Sequence, residues 1–518
     1  MKTVKLAREH GLAVTQASDI KESIVELTAD VVVIGSGAGG AVIAYEMAAA
    51  GKSVIILEAG PYVPSTDFTE KFPDMLELLY EDQGAQMNST GDMVILQGRC
   101  VGGSTVVNGA VTFRTPDAIL EKWNTQYGLT ELTKATLAPY FEKVERNLSV
   151  HENQPHEIAK HSQILNRGAK ALGYSHKPLK RNIKNCGLTG HCLSGCASDR
   201  KQSSLVTYLP WAISHGAKLF ADTRAMTINH LNGKATGVTA ETRDPVTGEK
   251  IAEVRIKAST VVSSAGAIQS PLLFLRSKLG NSSGQVGKNF ACHPSTLMLA
   301  EFDEEVHAWR GASLGSYVDE FEHPDKGGFI LEGGGSGPIE IAMAGEPGTG
   351  KEYVSFMSKA KNMCSMVTLI HDHNVGHIYY DGEKKVIDYD ISDDDFPTMR
   401  RVLQEAAKIF FAAGAKRVLL PTIKKTEVHS LEELDQQMDL LENGPHMLRM
   451  VSYHPQGTMR MGPDKEKSVV DAHGQSHDIQ GLYVADASVF PTSVIVNPQI
   501  TVYALSSYIA DKILGQSI

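Results

Sequence analysis

The sequence predicts an α/β fold (α+β overall) that begins with a Rossmann-like unit. Residues 31–34 are an apolar run, residues 35–40 are rich in glycine, residues 41–50 have helical spacing, and residues 54–57 are again apolar. This order is typical of a strand, a tight turn, a helix and a second parallel strand. Residues 260–267 form another apolar run that enters a glycine turn, which indicates a further strand of the same sheet.

Composition and charge exclude several classes of protein. The chain has 518 residues, of which 42% are apolar and 21% are charged, so it is too apolar for intrinsic disorder. The formal net charge is −10 and no basic block stands out, so we expect no nucleic-acid partner. Residues 1–26 lack the apolar core of a signal peptide, and no apolar run reaches the roughly 18 residues that cross a bilayer. We therefore expect a cytoplasmic protein without a transmembrane segment.

The first glycine turn has the spacing of a dinucleotide-binding site. Gly35 permits a tight turn, Gly37 lets a pyrophosphate approach the backbone, and Gly40 allows the helix to pack closely. Glu58 ends the following strand, where its carboxylate can accept hydrogen bonds from an adenosine ribose. These residues leave both NAD and FAD open as the cofactor.

The rest of the chain predicts a second domain inserted into the first. Residues 295–423 contain strand-like stretches at 366–370 and 377–380, followed by a helical pattern at 396–413. Residues 454–518 are turn-rich and then apolar, and we expect them to return to the first domain.

Several segments, taken together, resemble the glucose-methanol-choline (GMC) oxidoreductase family. Besides the opening glycines, they are residues 98–109 (GRCVGGSTVVNG), 266–273 (GAIQSPLL), 454–462 (HPQGTMRMG) and 497–501 (NPQIT). Because they occur in this order, the resemblance covers nearly the whole chain. A cysteine-containing segment and the run 482–490 look most similar to the long-chain alcohol oxidase and dehydrogenase branch.

The resemblance implies an FAD-binding domain of residues 1–294 and 440–518, with a cysteine-containing insertion near 180–200. It implies a substrate-binding domain of residues 295–439 built on an antiparallel sheet. Beyond the glycine turn and Glu58, the residues implied to contact FAD are Gly102, Gly103, Ser104, Asn108, Asp486 and Pro498. Some relatives tether the flavin through a histidine just before the position of Asn108, whereas this chain has Val107 there. We therefore expect non-covalent FAD.

His454 and Asn497 are the candidate catalytic residues. Oxidation of an alcohol by hydride transfer needs a base for the hydroxyl proton, and histidine suits that role near neutral pH. His454 and Asn497 each precede a proline in the segments that the resemblance places over the flavin. We expect His454 to accept the proton and Asn497 to hydrogen-bond the substrate oxygen.

These expectations describe an FAD-dependent enzyme that oxidises a small-molecule alcohol, primary or secondary and hydrophobic, and passes electrons to oxygen or an external acceptor. An apolar stretch at 354–370 could line the substrate pocket. A flavin-dependent lyase or decarboxylase on the same scaffold is the alternative. A flavin-binding protein without catalysis would leave the pair of His454 and Asn497 unexplained.

Three of the six cysteines fall within one short segment. Cys186, Cys192 and Cys196 are separated by five and then three residues. Thiolates this close suggest a metal or a cluster in a reducing compartment. The same spacing holds a three-iron cluster in FAD-dependent bacterial glucose dehydrogenases of the GMC family, although Ala197 replaces the proline found there. Iron–sulfur ligation, free or pairwise oxidised thiols, and zinc all stay open.

Overall fold

The structure, a computed structural model, describes residues 12–345, 348–373, 375–424, 426–440 and 444–515. Residues 1–11, on which part of the signal-peptide expectation rests, lie outside the described residues. The α-helices are α1 Ala38–Ala49, α2 Phe72–Leu79, α3 Asp117–Gln126, α4 Lys134–Asn147, α5 Lys160–Leu172, α6 Tyr208–Ser214, α7 Gly266–Ser277, α8 Pro338–Gly345, α9 Lys351–Ser358, α10 Phe396–Ala412, α11 Leu431–Leu440 and α12 Gln499–Leu514.

The first twelve strands are β1 Val14–Thr15, β2 Ile24–Thr28, β3 Val31–Ile34, β4 Val54–Leu57, β5 Met93–Ile95, β6 Val150–Glu152, β7 His176–Pro178, β8 Lys180–Asn182, β9 Lys218–Phe220, β10 Thr223–Leu231, β11 Lys234–Arg243 and β12 Lys250–Lys257. The others are β13 Thr260–Ser263, β14 Lys288–Phe290, β15 Ser295–Glu301, β16 Leu314–Val318, β17 Phe329–Gly334, β18 Met363–Ile370, β19 Gly376–Asp381, β20 Lys384–Asp388, β21 Arg417–Leu420, β22 Thr426–Val428, β23 Met450–Ser452 and β24 Leu482–Val484.

Six strands form a parallel sheet in the order β1, β9, β4, β3, β13, β24. β3 and β4 consist only of buried Val, Ile and Leu. This composition suits a strand covered on both faces. Helix α1 packs against β3 and β4, and β11 packs against β13. The predicted strand, turn, helix and strand at the start of the chain, and the predicted strand at 260, are confirmed.

A nine-stranded mixed sheet forms the second layer of the molecule. Its main path runs β22, β21, β15, β18, β17, β16, β7 and is antiparallel, while β23 pairs with β15 and is parallel to β5. Helices α5 and α10 pack against this sheet. β5, β7 and β23 come from outside residues 295–439, so the sheet draws on both of the predicted domains. The predicted domain boundaries themselves remain a prediction.

Smaller sheets flank these two layers. They are β10, β11, β12 and β2; β14, β19 and β20; and β6 with β8. One apolar core surrounds the parallel sheet and another surrounds the nine-stranded sheet. The predicted α/β class is confirmed. None of the described helices is both long enough and apolar enough to span a bilayer.

Candidate active site

A cavity of about 340 Å³ lies where the parallel sheet meets the nine-stranded sheet. The turn after β3 and the end of β4 form one side of its wall, as expected for a ligand at the carboxyl ends of parallel strands. Glu332 on β17 and Val367 on β18 form another side. His454 and Asn497 lie in the wall of this same cavity. The fold therefore joins the dinucleotide turn and the candidate catalytic pair in one space.

The glycine turn leaves no room for side chains at two of its predicted positions. Gly35 has φ +97°, and a Cβ there would lie 2.4 Å from a backbone carbonyl oxygen. A Cβ at Gly40 would lie 1.9 Å from the Gly35 oxygen. Gly39, which the sequence analysis did not assign, is equally constrained, because its Cβ would lie 1.8 Å from another carbonyl oxygen. Gly37 lines the cavity at the N-terminus of α1, and its Cβ position has no atom within 4 Å.

Glu58 lies in the cavity wall beside this turn. Its Oε2 accepts hydrogen bonds from the backbone N–H of Ser36 at 3.1 Å and from the Ser36 hydroxyl at 2.7 Å, and its Oε1 accepts from Gly60 N at 2.9 Å. Burial raises the pKa of this carboxyl, and the three hydrogen bonds oppose the rise. The carboxylate is thus fixed by the turn and retains lone pairs for a ligand.

The loop after β5 contributes most of its predicted residues to the cavity. Gly103, Ser104 and Asn108 line it, whereas Gly102 lies behind them and donates its N–H to the Ser36 hydroxyl at 2.9 Å. Gly102 and Gly103 have φ values of +96° and +54°, which favour glycine. This loop is therefore tied directly to the glycine turn.

Asp486 and Pro498 also line the cavity. Asp486 accepts hydrogen bonds from Gly266 N at 2.9 Å, from the Ser270 hydroxyl at 2.7 Å and from Ser488 N at 2.8 Å. The first two bonds link the carboxylate to the start of α7, and the third comes from its own segment. Among the predicted cofactor residues, Gly40 and Gly102 support the wall and the other eight form it.

His454 faces the cavity with one ring nitrogen held by protein. Its Nδ1 lies 3.2 Å from Nδ1 of His293, which leaves Nε2 as the nitrogen available to a substrate. Burial lowers the pKa of His454 to about 3. The ring is therefore neutral at physiological pH, and the same burial disfavours its protonated form.

His293 is a site residue that the sequence analysis missed. It is fully buried with φ +49°, a backbone conformation that is unfavourable for a side chain of this size. The carboxylate of Asp372 accepts its N–H at 3.1 Å, and Gln456 Nε2 lies 3.1 Å from its Nε2. A strained, buried histidine held against His454 is typical of a functional site. Its position before Pro294 is a signal that could have found it.

Glu332 is a second residue that the sequence analysis missed. Its carboxyl is 1% exposed and hydrogen-bonds the side chain of Asn497. Burial raises the pKa of Glu332 to about 8, and the hydrogen bond from Asn497 partly offsets the rise. The signal in the sequence is one acidic residue within the otherwise apolar start of β17 (FILE).

Cys186, Cys192 and Cys196 line a second, much smaller cavity, together with Lys201. In the described part of the chain all six cysteines are free. Their three sulfurs are not all within 4.8 Å of one another, which is looser than a single zinc ion would hold them. The Lys201 ammonium donates to the carbonyl oxygens of Val106, Asn108 and Cys192 at 2.6–2.8 Å. It therefore joins the segment that contains the three cysteines to the loop after β5.

Comparison with known proteins assigns this chain to a protein family. Residues 76–295 and 372–506 match the GMC oxidoreductase family, and residues 30–70 match an FAD binding domain. The chain belongs to the GMC oxidoreductase family. It is therefore an FAD-dependent oxidoreductase, and the resemblance inferred from the sequence motifs is confirmed.

Relatives of this GMC oxidoreductase include bacterial and plant proteins. It is 33% identical to the uncharacterized GMC-type oxidoreductase Rv0492c of Mycobacterium tuberculosis, over 95% of this chain and 76% of that protein. It is 28% identical to the long-chain-alcohol oxidase FAO4B of Arabidopsis thaliana, over 97% of this chain and 70% of that protein. A solved structure of formate oxidase from Aspergillus oryzae superimposes with a TM-score of 0.72 at 17% identity, covering 96% of this chain and 99% of that one.

The residues of the large cavity fit FAD. Gly37 gives a pyrophosphate access to the backbone N–H groups at the N-terminus of α1. Glu58 offers acceptors at the end of β4, where a ribose lies in Rossmann-like sites.

Proposed function

We propose that this enzyme oxidises an alcohol to a carbonyl compound, with His454 as the proton acceptor and Asn497 as the partner of the substrate oxygen. The observation that carries the proposal is the placement of both residues in the wall of the cavity that contains the glycine turn. Bound FAD would supply the acceptor for the hydride of the alcohol carbon. The protein has to position the alcohol, remove its proton and exclude water.

Proton transfer to His454 sets a requirement on its neighbours. For Nε2 to accept the substrate proton, Nδ1 must carry a hydrogen and donate it to Nδ1 of His293. The His293 proton then lies on Nε2, so the side chain of Gln456 must present its amide oxygen to that atom. In the structure the Gln456 nitrogen faces His293 Nε2 at 3.1 Å and also donates to the backbone oxygen of His454 at 3.2 Å. Rotation of the amide would bring its oxygen to His293 and give up the bond to the His454 carbonyl. His293 and Gln456 thus control whether His454 is ready to accept a proton.

A hydrophobic alcohol is the substrate that the cavity wall favours. Leu314, Val367 and Leu369 line it near Glu332. Of the predicted apolar stretch at 354–370, only Val367 and Leu369 reach the cavity. The similarity to a long-chain-alcohol oxidase supports the same class of substrate.

We propose that FAD is bound without a covalent bond. Val107 stands where tethered relatives have histidine, and a valine side chain has no nucleophilic atom. Acid or heat should release all the flavin into solution, and flavin that stays with the precipitated protein would contradict this proposal.

We also propose that Cys186, Cys192 and Cys196 bind an iron–sulfur cluster. All three line one small cavity, and Leu193, next to Cys192, lines the large cavity. This proximity suits electron transfer from the flavin site to an external acceptor. Protein prepared without oxygen should contain iron, and replacing any one of the cysteines by serine should remove most of it. Less than about one iron per chain would leave free thiols as the better interpretation.

Anaerobic mixing with a panel of long-chain, aromatic and sugar alcohols tests the proposed reaction. A substrate alcohol should bleach the yellow flavin absorbance and yield the corresponding carbonyl compound. A flavin that no alcohol bleaches would overturn the proposal and favour a lyase, a decarboxylase or a protein without catalysis.

A further inference from the structure

Two buried polar oxygens in the wall of the large cavity have no donor among the described residues. They are Oε1 of Glu332 and Oδ1 of Asn497. The Asn497 amide already hydrogen-bonds the Glu332 carboxyl, so the two side chains are in contact. Leaving two buried acceptors unsatisfied is costly, and each needs a hydrogen.

One proton on Glu332 can satisfy this arrangement. A carboxylic acid and a primary amide can pair at two points: the acid O–H donates to the amide oxygen, and an amide N–H donates to the acid carbonyl oxygen. We propose that Glu332 is a positioning residue for alcohol oxidation, which as the neutral acid forms this two-point pair with Asn497. The inference rests on the proposed function of Asn497 as the partner of the substrate oxygen.

The pair of Glu332 and Asn497 determines which atom of the Asn497 amide can hydrogen-bond the substrate. With Oδ1 and one N–H engaged by Glu332, the second N–H of Asn497 is left for the cavity. That N–H can donate to the substrate oxygen as negative charge develops on it. Without the pair, the amide could rotate and present its oxygen, which would repel the developing charge.

The surroundings of Glu332 favour the neutral acid. Tyr317 lies opposite Glu332 on β16, and Val367 lies opposite it on β18. Tyr453 lies close enough to interact with Glu332, and burial raises the Tyr453 pKa to about 12, so its hydroxyl is uncharged at neutral pH. His454, in the same cavity wall, is neutral as well. Helix α5 packs on the other face of β17, against Gly333, so His161 does not face Glu332.

Two substitutions at residue 332 distinguish a role of Glu332 in orienting the Asn497 amide from a role in packing alone. Glu332→Gln keeps both hydrogen bonds, because its amide can donate to Asn497 Oδ1 and accept from Asn497 Nδ2, but it cannot ionise. Glu332→Leu keeps the volume and loses both bonds. Glu322→Gln, a partly buried carboxyl outside the cavity wall, is the matched control.

The rate of flavin reduction is measured from pH 6 to pH 10 in each variant. The parent rate should fall above about pH 8, because ionised Glu332 loses its donor and places a negative charge beside the substrate oxygen. Glu332→Gln should stay within about twofold of the parent at pH 7 and lose this alkaline decline. Glu332→Leu should be at least about tenfold slower at every pH while it still binds FAD.

Infrared difference spectra of the parent and Glu332→Gln give a second measurement that needs no substrate. The parent should show a protonated carboxyl band, absent from the variant, that disappears as the pH rises through about 8. No such band at pH 7, or an unchanged alkaline decline in Glu332→Gln, would overturn the proposal. Because the band is read without alcohol, failure of the proposed reaction would be distinguishable from failure of the pair.

Discussion

At the scale of single residues, the proposed reaction depends on the imidazole of His454. Burial keeps it neutral, and contact with His293 through Nδ1 leaves Nε2 as the nitrogen that we propose accepts the substrate proton. The ring gains this orientation from a residue 161 positions away in the chain. The candidate base therefore depends on the fold as much as on its own motif.

His454→Ala should lower the rate of flavin reduction by about a hundredfold or more, because the general base is lost. Bound FAD should be unchanged, and Asn497→Ala should also be slow. Anaerobic stopped-flow absorbance measures the rate, and His323→Ala, an exposed histidine, is the control. Reduction of the His454 variant at the parent rate would mean that another group accepts the proton.

At the scale of secondary-structure elements, the glycine turn and the loop that contains Lys201 hold the cofactor cavity together. Local signals in the sequence predicted the turn, because its glycines lie within six residues of one another and between two apolar runs. Sequence reasoning missed His293 and Glu332, because they meet His454 and Asn497 only through long-range packing of β17, β23 and the segments beside them. Gln456 is two residues from His454, but its contact with His293 is long-range as well. A buried carboxyl in a strand has no local sequence motif from which its hydrogen-bond partner can be predicted.

Gly40→Ala should cause loss of FAD and a lower melting temperature. The added methyl group would lie 1.9 Å from the Gly35 oxygen and push α1 away from the turn. Gly187→Ala, whose Cβ would meet atoms no closer than 3.7 Å, is the control. Flavin absorbance per mole of purified protein measures cofactor content, and equal content in the two variants would contradict the steric account.

Lys201→Met should lower the free energy of unfolding by about 3 kcal/mol or more, because three buried carbonyl oxygens lose their donor. Lys180→Met, at an exposed position, should change it little. Chemical denaturation followed by circular dichroism compares the two. If both variants unfold at the same denaturant concentration, the ammonium does not stabilise the contact between the loops.

At the scale of the whole molecule, the candidate active site lies where two sheets meet. The parallel sheet supplies the dinucleotide turn, and the nine-stranded sheet supplies Glu332 and the apolar wall. The motifs predicted the α/β class and the family. They could not predict that β5, β7 and β23 would join the second sheet, because these strands are only three residues long and form through pairing with distant partners.

Hydride transfer from an alcohol can be followed by anaerobic flavin reduction with a substrate deuterated at the carbon that bears the hydroxyl group. We expect an alcohol from the panel to bleach the flavin and its deuterated form to do so more slowly, because the carbon–hydrogen bond breaks in that step. No bleaching by any alcohol, or carbonyl formation while the flavin stays oxidised without oxygen, would contradict the proposed hydride transfer.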